Sequence, residues 1–356
     1  MPETFTIAIL GATGAVGREM FAVLEQRRFP VRELRALGSA RSAGTRLPFG
    51  KDEIVVREAV PDSFAGVDIA LFSAGAGPAR EFAPAAVEAG AIVIDNSSAF
   101  RMDPGVPLVV PEINGYLLAP LRAPGGRPRR GAIVANPNCS AIILLMALEP
   151  LRRRFGVRGI TVSTYQAASG AGVEAMDELR AQTADVLAGR EARPQVFPEP
   201  CAFNVFSHNT PVDPATGLNV EEQKVIEEAR KIWSQPGLAV CPTCIRVPVL
   251  RAHAESIRVH LERPATEDEA RAGYEGFAGV RLVDDRARGE FPTSLKASGG
   301  DDVLVGRLRP DWATETGAGR FGAFTLFAAG DQLRKGAALN AVQIAEAVCG
   351  QPAKDL

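Results

Sequence analysis

The run Thr6-Ile7-Ala8-Ile9-Leu10 leads directly into Gly11-Ala12-Thr13-Gly14-Ala15-Val16-Gly17, and then into a segment from Arg18 to Arg27 that carries Met20, Phe21, Val23 and Leu24. The order it predicts is strand, glycine turn, helix. Gly11 permits the tight turn, Gly14 lets backbone approach a pyrophosphate with no Cβ in the way, and Gly17 lets the helix pack closely on the strand. The spacing is GxxGxxG rather than GxGxxG, so the glycines alone are a weak sign. Their strand-turn-helix context points to a dinucleotide-binding turn.

The choice of dinucleotide is read at the end of the second strand. An Asp or Glu there, about 20 residues past the glycines, selects a free ribose 2′-hydroxyl, whereas an arginine accommodates a 2′-phosphate. Here the strand Glu33 to Leu37 runs into Gly38-Ser39-Ala40-Arg41-Ser42 with no carboxylate at its tip. Two hydroxyls and a guanidinium suit a phosphate, so NADP is the expected cofactor.

The rhythm continues with Ile69 to Ser73, a helical Ala79 to Ala89 and the strand Ile92 to Asp95, as in a doubly wound Rossmann-type parallel sheet. The second half is β-rich, with runs Gly159 to Tyr165, Ser256 to Leu261, Val303 to Arg309 and Ala323 to Ala328, and two helical segments, Gly172 to Leu187 and Val220 to Trp233. The fold class expected is therefore α/β: an N-terminal parallel sheet plus a second α+β domain with a mixed, largely antiparallel sheet. A dinucleotide domain over 1–137 and a catalytic and dimerisation domain over 138–330 are expected. The last segment, 331–356, places Leu339, Val342, Ala345 and Val348 on one helical face and returns to the first domain.

Asn136-Pro137-Asn138-Cys139-Ser140 lies between the strand-like Ile133 to Ala135 and a long apolar run, Ala141 to Leu148, that reads as a buried helix. A thiol at a helix N-terminus feels the positive end of the helix dipole, which favours the thiolate and makes the sulfur nucleophilic near neutral pH. A buried structural cysteine is the competing reading.

The formal net charge of −2 argues against nucleic acid as a partner. No apolar run reaches the eighteen or so residues of a membrane span, and Met1 to Thr6 is too short and uncharged for a signal n-region. Five cysteines, an odd number, fit a reducing compartment, so a cytoplasmic location is expected. Cys241-Pro242-Thr243-Cys244 has no second CxxC, and His208, His253 and His260 offer no four-ligand spacing with it, so no metal site is expected. Its strand-like flanks make it a pair of reduced thiols on a strand. Ala119 to Gly131 holds three prolines, three glycines and four arginines with no interleaved aromatic residue, which is turn chemistry rather than a nucleic-acid patch.

Taken together, Gly11 to Gly17, Arg41-Ser42-Ala43-Gly44, Asp95 to Arg101, Asn136 to Ser140, Tyr165 to Gly172, Arg246 to Val249 with His253, and Gly336 to Asn340 resemble the aspartate-semialdehyde dehydrogenase family in content and order. The resemblance implies NADPH-dependent reduction of L-4-aspartyl phosphate to L-aspartate 4-semialdehyde and phosphate, in lysine, threonine, methionine and diaminopimelate biosynthesis. It also implies a homodimer built mainly through the second domain.

For the residues, the resemblance implies Cys139 as the nucleophile that forms a thioester, His253 as the general acid/base and Gln166 as the residue that orients the substrate or thioester carbonyl. It assigns the α-carboxylate to Arg246, the ammonium to Glu221, and the phosphate to Lys224 and Arg101. Cofactor contacts are implied for Gly11, Thr13, Gly14, Ala15, Val16, Gly17, Ser39, Arg41, Ser42, Ser73, Gly75, Ser169, Gly170 and Asn340. Two features depart from the family's pattern. Thr45 stands where the family has lysine, which removes one cation near the adenosine end, and the 119–131 loop is longer than usual. An N-acetyl-glutamyl-phosphate reductase-like enzyme, a non-catalytic dinucleotide-binding paralogue and a redox module using Cys241 and Cys244 remain the alternatives.

Overall fold

In a computed structural model, which describes residues 4–122, 128 and 131–351, the chain divides into two compact units. One comprises residues up to Asn138 together with those from Gly336 onward, and the other Cys139–Lys335. Residues 123–127 and 129–130 of the proline- and arginine-rich loop lie outside the described residues.

The first unit is built on six strands. In chain order the longer ones are β1 (Phe5–Leu10), β2 (Val31–Gly38), β3 (Ile69–Phe72), β4 (Ile92–Asp95) and β5 (Ala132–Ala135). With the short strand Arg57–Glu58 at one edge, their order is Arg57–Glu58, β2, β1, β3, β4, β5, and every pairing is parallel. All six residues of β1 are buried, as a central strand covered on both faces requires. Because β1 pairs with β2 on one side and β3 on the other, the strand order reverses at β1. A crevice opens there at the strands' carboxyl ends.

Helix α1 (Ala15–Gln26) follows the glycine turn and starts three residues before the expected Arg18, so the third glycine sits inside it. Helix α2 (Ala76–Glu88) covers the other face. At the carboxyl end of the chain Leu339, Val342, Ile344 and Val348 enter the same apolar cluster as Met20, Phe21 and Leu24 of α1, which seats the last helix in this unit. Arg27 and Glu346, both buried, clamp that packing with two 2.8 Å hydrogen bonds.

The second unit opens with α3 (Cys139–Phe155), whose residues Ser140 to Leu151 are all buried. Its sheet contains β6 (Val157–Gln166), β7 (Ala239–Arg246), β8 (His253–Ala265), β9 (Val303–Pro310) and β10 (Arg320–Gly330). The order is Phe206–Ser207, β7, β6, β8, β10, β9, Val280–Leu282, with Glu315–Gly317 pairing to β10. Pairings of β6 with β7 and of Val280–Leu282 with β9 are parallel and the rest antiparallel, giving the mixed sheet expected. Helices α4 (Val173–Leu187) and α5 (Val220–Ile232) complete the elements used below, and the terminal helix is α6 (Leu339–Val348).

Strand β8 starts at His253, three residues before the expected Ser256. The inward residues at its start are His253 and Glu255, polar side chains that a search for apolar alternation passes over. Cys241 and Cys244 lie on β7 as expected. Three positions apart on a strand they face opposite sides, one exposed and one buried.

Candidate active site

In the first unit the crevice at the β1/β3 reversal holds a cavity of about 600 Å³. Of the expected cofactor residues, Gly11, Thr13, Gly14, Ser39, Arg41, Ser42 and Ser73 line it. Gly11 has φ +84°, and a Cβ there would meet the Ser73 carbonyl oxygen at 2.6 Å. A Cβ on Gly17 would lie 2.2 Å from the Gly11 carbonyl oxygen, so the helix reaches the turn only because glycine stands there. Gly14 caps α1 with no side-chain bond, which leaves first-turn N–H groups available to an anion. Arg41, in the short 3₁₀ turn Ala40–Ser42, is the cation of the lining, and Glu58 and Glu81 are its acids. These residues fit a phosphate-bearing dinucleotide.

Ala15, Val16, Gly17, Gly75 and Asn340 do not line the cavity. Asn340 is fully buried and donates to the Val109 carbonyl at 2.9 Å and to Asn136 Oδ1 at 2.7 Å. Its amide therefore braces the strand exit that leads to Cys139. Arg101 acts on the same stretch from the Asp95–Arg101 segment, donating from Nε to the Asn136 carbonyl at 3.0 Å and from Nη2 to the Asn96 carbonyl at 2.8 Å.

In the second unit Cys139 is the first residue of α3, partly exposed, ahead of seventeen residues of helix counted from itself. It lies within electrostatic reach of the Arg246 guanidinium. Arg246 ends β7 beside Gln166 at the end of β6, the two being register partners.

Ala167, the next residue, is bonded through both ends of its backbone. Its carbonyl accepts from Arg246 Nη1 at 2.7 Å, and its N–H donates to His253 Nδ1 at 3.0 Å. An imidazole nitrogen that accepts from a backbone amide carries no proton, so the neutral ring is protonated at Nε2. That nitrogen is buried and has no hydrogen-bond partner among the described residues. Burial, with the Arg246 charge adding to it, pushes His253 down to about 3.

Gly170 lies against the ring, where a Cβ would fall 3.1 Å from Cε1 and 3.2 Å from Nε2. Ser169, its neighbour, is buried and its hydroxyl meets the Gln332 amide.

Gln166 accepts from Thr164 Oγ1 at 3.1 Å and donates to Glu221 Oε1 at 3.1 Å, while Lys224 Nζ lies 3.2 Å from Glu221 Oε2. Glu222 is engaged elsewhere. It closes a capping box with Asn219 and accepts the Cys244 backbone N–H at 3.0 Å. The first turn of α5 thus directs one carboxylate to Gln166 and the other to the helix cap and β7.

Three contributors escaped the sequence reading. His208 Nε2 lies 2.9 Å from Arg246 Nη2, Asn209 Oδ1 accepts from the same nitrogen at 3.2 Å, and Phe197 offers its ring face to the guanidinium with Cζ 5.1 Å from its centroid. No motif marks them, because each meets Arg246 only through tertiary packing.

Two of the other thiols, Cys201 and Cys244, are poor candidates for nucleophile. Burial raises both Cys201 and Cys244, holding them as neutral thiols. No group of three His, Cys, Asp or Glu among the described residues could hold a metal ion, and no described helix is long and apolar enough to cross a membrane.

Comparison with known proteins places this chain in a family. Residues 6–119 match the family described as semialdehyde dehydrogenase, NAD binding domain, and residues 148–335 match the semialdehyde dehydrogenase dimerisation domain. An aspartate-semialdehyde dehydrogenase of Prochlorococcus marinus is 44% identical over 96% of this chain and 95% of its own length. One from Bacillus subtilis is 44% identical over 96% of each chain. Among solved structures, aspartate semialdehyde dehydrogenase II from Vibrio cholerae superposes with a TM-score of 0.90 at 40% identity, covering 98% of this chain and 99% of that one. A probable aspartate-semialdehyde dehydrogenase from Pseudomonas aeruginosa gives 0.86 at 30% identity, over 97% and 98% of the two chains. The chain belongs to the aspartate-semialdehyde dehydrogenase family.

Proposed function

We propose that Cys139 is the nucleophile of an NADP-dependent aspartate-semialdehyde dehydrogenase and that Gln166, Arg246, Glu221 and His253 handle the substrate around it. The observation that carries this reading is the arrangement at Ala167: its peptide joins the Arg246 guanidinium to the His253 ring, and Cys139 at the start of α3 is within the guanidinium's field. The enzyme reduces L-4-aspartyl phosphate to L-aspartate 4-semialdehyde and phosphate.

The Cys139 thiolate attacks the acyl carbon, the bond to the phosphate oxygen breaks, and phosphate leaves with the electron pair. A thioester remains. NADPH, when bound, supplies the hydride that reduces it. Negative charge then develops on the former carbonyl oxygen, which needs a donor. His253 offers Nε2–H, buried and unpartnered among the described residues, and a donor aimed at developing charge stabilises it most in a site that excludes water. The tetrahedral oxyanion, held by Nε2–H, re-forms its C=O bond as the C–S bond breaks and the electron pair returns to sulfur, freeing the aldehyde and the Cys139 thiolate. The one proton consumed overall ends on the released phosphate. His253 therefore acts from the donor side of the acid/base role; acting as a base at Nδ1 requires Ala167 N–H to let go first.

At the amino-acid end, Arg246 binds the α-carboxylate and Glu221 the ammonium. Gln166, hydrogen-bonded to Glu221, positions the reacting carbonyl. Glu221 takes the ammonium rather than Glu222, because Glu222 is already closed into the helix cap. Lys224 and Arg101 are given the phosphate role, each on resemblance alone. In the cofactor cavity Arg41 with Ser39 and Ser42 meets the 2′-phosphate, and the open first turn of α1 meets the pyrophosphate. The dimerisation-domain match over residues 148–335 supports a homodimer formed through that part of the chain. The cytoplasm is the compartment this reading proposes, on the odd number of cysteines.

Glu221 also bears on the N-acetyl-glutamyl phosphate alternative, whose substrate has no free ammonium for that carboxylate to face. Phosphate-dependent reduction of NADP⁺ by L-aspartate 4-semialdehyde tests substrate, cofactor and acyl-phosphate chemistry in one assay. Turnover that requires both phosphate and the free amino group is expected. Turnover only with the N-acetyl-glutamyl homologue, or none, contradicts the reading.

A further inference from the structure

Between the short strand Phe206–Ser207 and helix α5 the chain runs through His208-Asn209-Thr210, a stretch outside every motif considered above. An arginine has donors only, so the His208 Nε2 that faces Arg246 Nη2 at 2.9 Å is an unprotonated acceptor, and the ring proton sits on Nδ1. Nδ1 in turn lies 3.4 Å from Thr210 Oγ1, and the same hydroxyl accepts the Glu221 backbone N–H at 3.2 Å. A hydrogen-bonded path therefore links the guanidinium of Arg246, the His208 ring, Thr210 and the first turn of α5.

The guanidinium has little freedom left. Nη2 has two hydrogens, and two protein acceptors face it, His208 Nε2 and Asn209 Oδ1. Nη1 is held by the Ala167 carbonyl, and the Phe197 ring lies under the plane. His208 connects to the backbone of the helix turn bearing Glu221 through Thr210, while Gln166, next to Ala167, reaches the Glu221 carboxylate.

We propose that His208 is a positioning residue for substrate specificity: its neutral ring ties the Arg246 fork to the helix turn carrying Glu221, fixing the spacing between the two charges that grip an α-amino acid. The inference rests on the reading in which Arg246 takes the α-carboxylate and Glu221 the ammonium. The donors that these contacts leave Arg246 for a substrate carboxylate are Nε–H, which has no partner among the described residues, and one Nη1–H; a guanidinium held in one orientation presents them at fixed positions, and one free to swing does not. Without His208, then, the amino-acid end is recognised less well, with the larger effect on the semialdehyde than on phosphate or the cofactor.

The test uses the full-length enzyme and separate KM values for L-aspartate 4-semialdehyde, phosphate and NADP⁺. His208→Leu is expected to raise the semialdehyde KM about tenfold, the loss of one charge-assisted bond, with kcat and the other two KM values changed by less than about twofold. His208→Gln, whose amide oxygen can accept and whose nitrogen can donate, is expected to recover most of the loss. Thr210→Val, which removes only the hydroxyl link and keeps the bulk, is expected to shift the same KM in the same direction. It serves as the independent variant should His208→Leu fail to fold.

An unchanged semialdehyde KM in His208→Leu, a parallel rise in all three KM values, no recovery with His208→Gln, or no shift in Thr210→Val overturns the proposal. Arg246→Lys keeps the two failures apart. If it raises the semialdehyde KM while the His208 variants are silent, only the role of His208 is wrong. If it leaves that KM unchanged, the carboxylate assignment itself is wrong.

Discussion

The backbone N–H of Ala167 meets Nδ1 of His253 at 3.0 Å, which fixes the imidazole with its proton on Nε2. A ring so held is a hydrogen-bond donor at neutral pH, and a side-chain amide can imitate part of that. His253→Ala is expected to lower kcat by roughly 10²–10³, the range for removing one such donor. His253→Gln, which can present an N–H from nearly the same place, should retain more activity than Ala. Steady-state kinetics on both variants checks this. Equal loss in the two would mean that proton transfer through the ring, rather than donation from Nε2, carries the rate.

The two site histidines also make the fold acid-sensitive. His208 is pushed from 6.5 down to about 4 and His253 down to about 3, in each case first by burial and with the Arg246 charge adding to it. As pH falls below 6.5 the unfolded chain takes up these protons before the folded one does, so stability present above 6.5 is lost on the way to about 4 and about 3. Each ring contributes a slope approaching about 1.4 kcal/mol per pH unit. Thermal unfolding from neutral to acid pH should therefore fall less steeply in His208→Gln and in His253→Gln than in the wild type. Identical slopes would show that neither ring is held neutral.

Much of this was legible beforehand, and for identifiable reasons. Hydrophobic period and glycine placement gave β1, the turn and α1, because a central parallel strand must be apolar along its whole length and a helix that packs on it needs a glycine at the contact, here Gly17. Cys139 stood out because strand, Asn-Pro-Asn and apolar helix bracket it in the sequence. The start of β8 was missed because His253 and Glu255 point inward where alternation predicts apolar residues. His208, Asn209 and Phe197 left no local trace, since their partner Arg246 lies 38, 37 and 49 positions away in sequence and is reached only through the fold. The close fit of Gly170 against the His253 ring depends on the approach of β8, which spacing cannot reveal.

Arg41 is the cation lining the dinucleotide cavity; residues 38–42 at the tip of β2 hold no acid, though Glu58, paired with Gly38, lines the same cavity. Arg41→Ala should weaken NADPH and leave NADH nearly unchanged. A charge-assisted bond to a phosphate is worth about 1.5–3 kcal/mol, or roughly ten- to a hundredfold in affinity. Fluorescence titration of both cofactors checks it, and equal weakening would place Arg41 away from the 2′-phosphate.

Glu255, on the same side of β8 as His253, is fully buried, and neither carboxyl oxygen has a partner among the described residues. Burial raises it well above the ordinary 4.5. A raised folded pKa gives stability that is complete below 4.5 and lost as pH rises through the folded value. Glu255→Gln, neutral at every pH and nearly the same shape, should raise the unfolding temperature at pH 8 and change it little at pH 4. A loss of stability at pH 8 would show that a charged Glu255 has a partner.

The central claim is that Cys139 forms the acyl bond. With NADP⁺ and L-aspartate 4-semialdehyde but no phosphate, the thiohemiacetal is oxidised to a thioester that nothing but water can discharge. The enzyme should release about one NADPH per active site and hold the aspartyl group, so peptide mass spectrometry after acid quench is the direct measurement. The expected result is an aspartyl adduct on the peptide containing Cys139, with Cys201, Cys241, Cys244 and Cys349 unmodified and no burst in Cys139→Ala. An adduct on another cysteine, or a full burst from Cys139→Ala, would contradict the account.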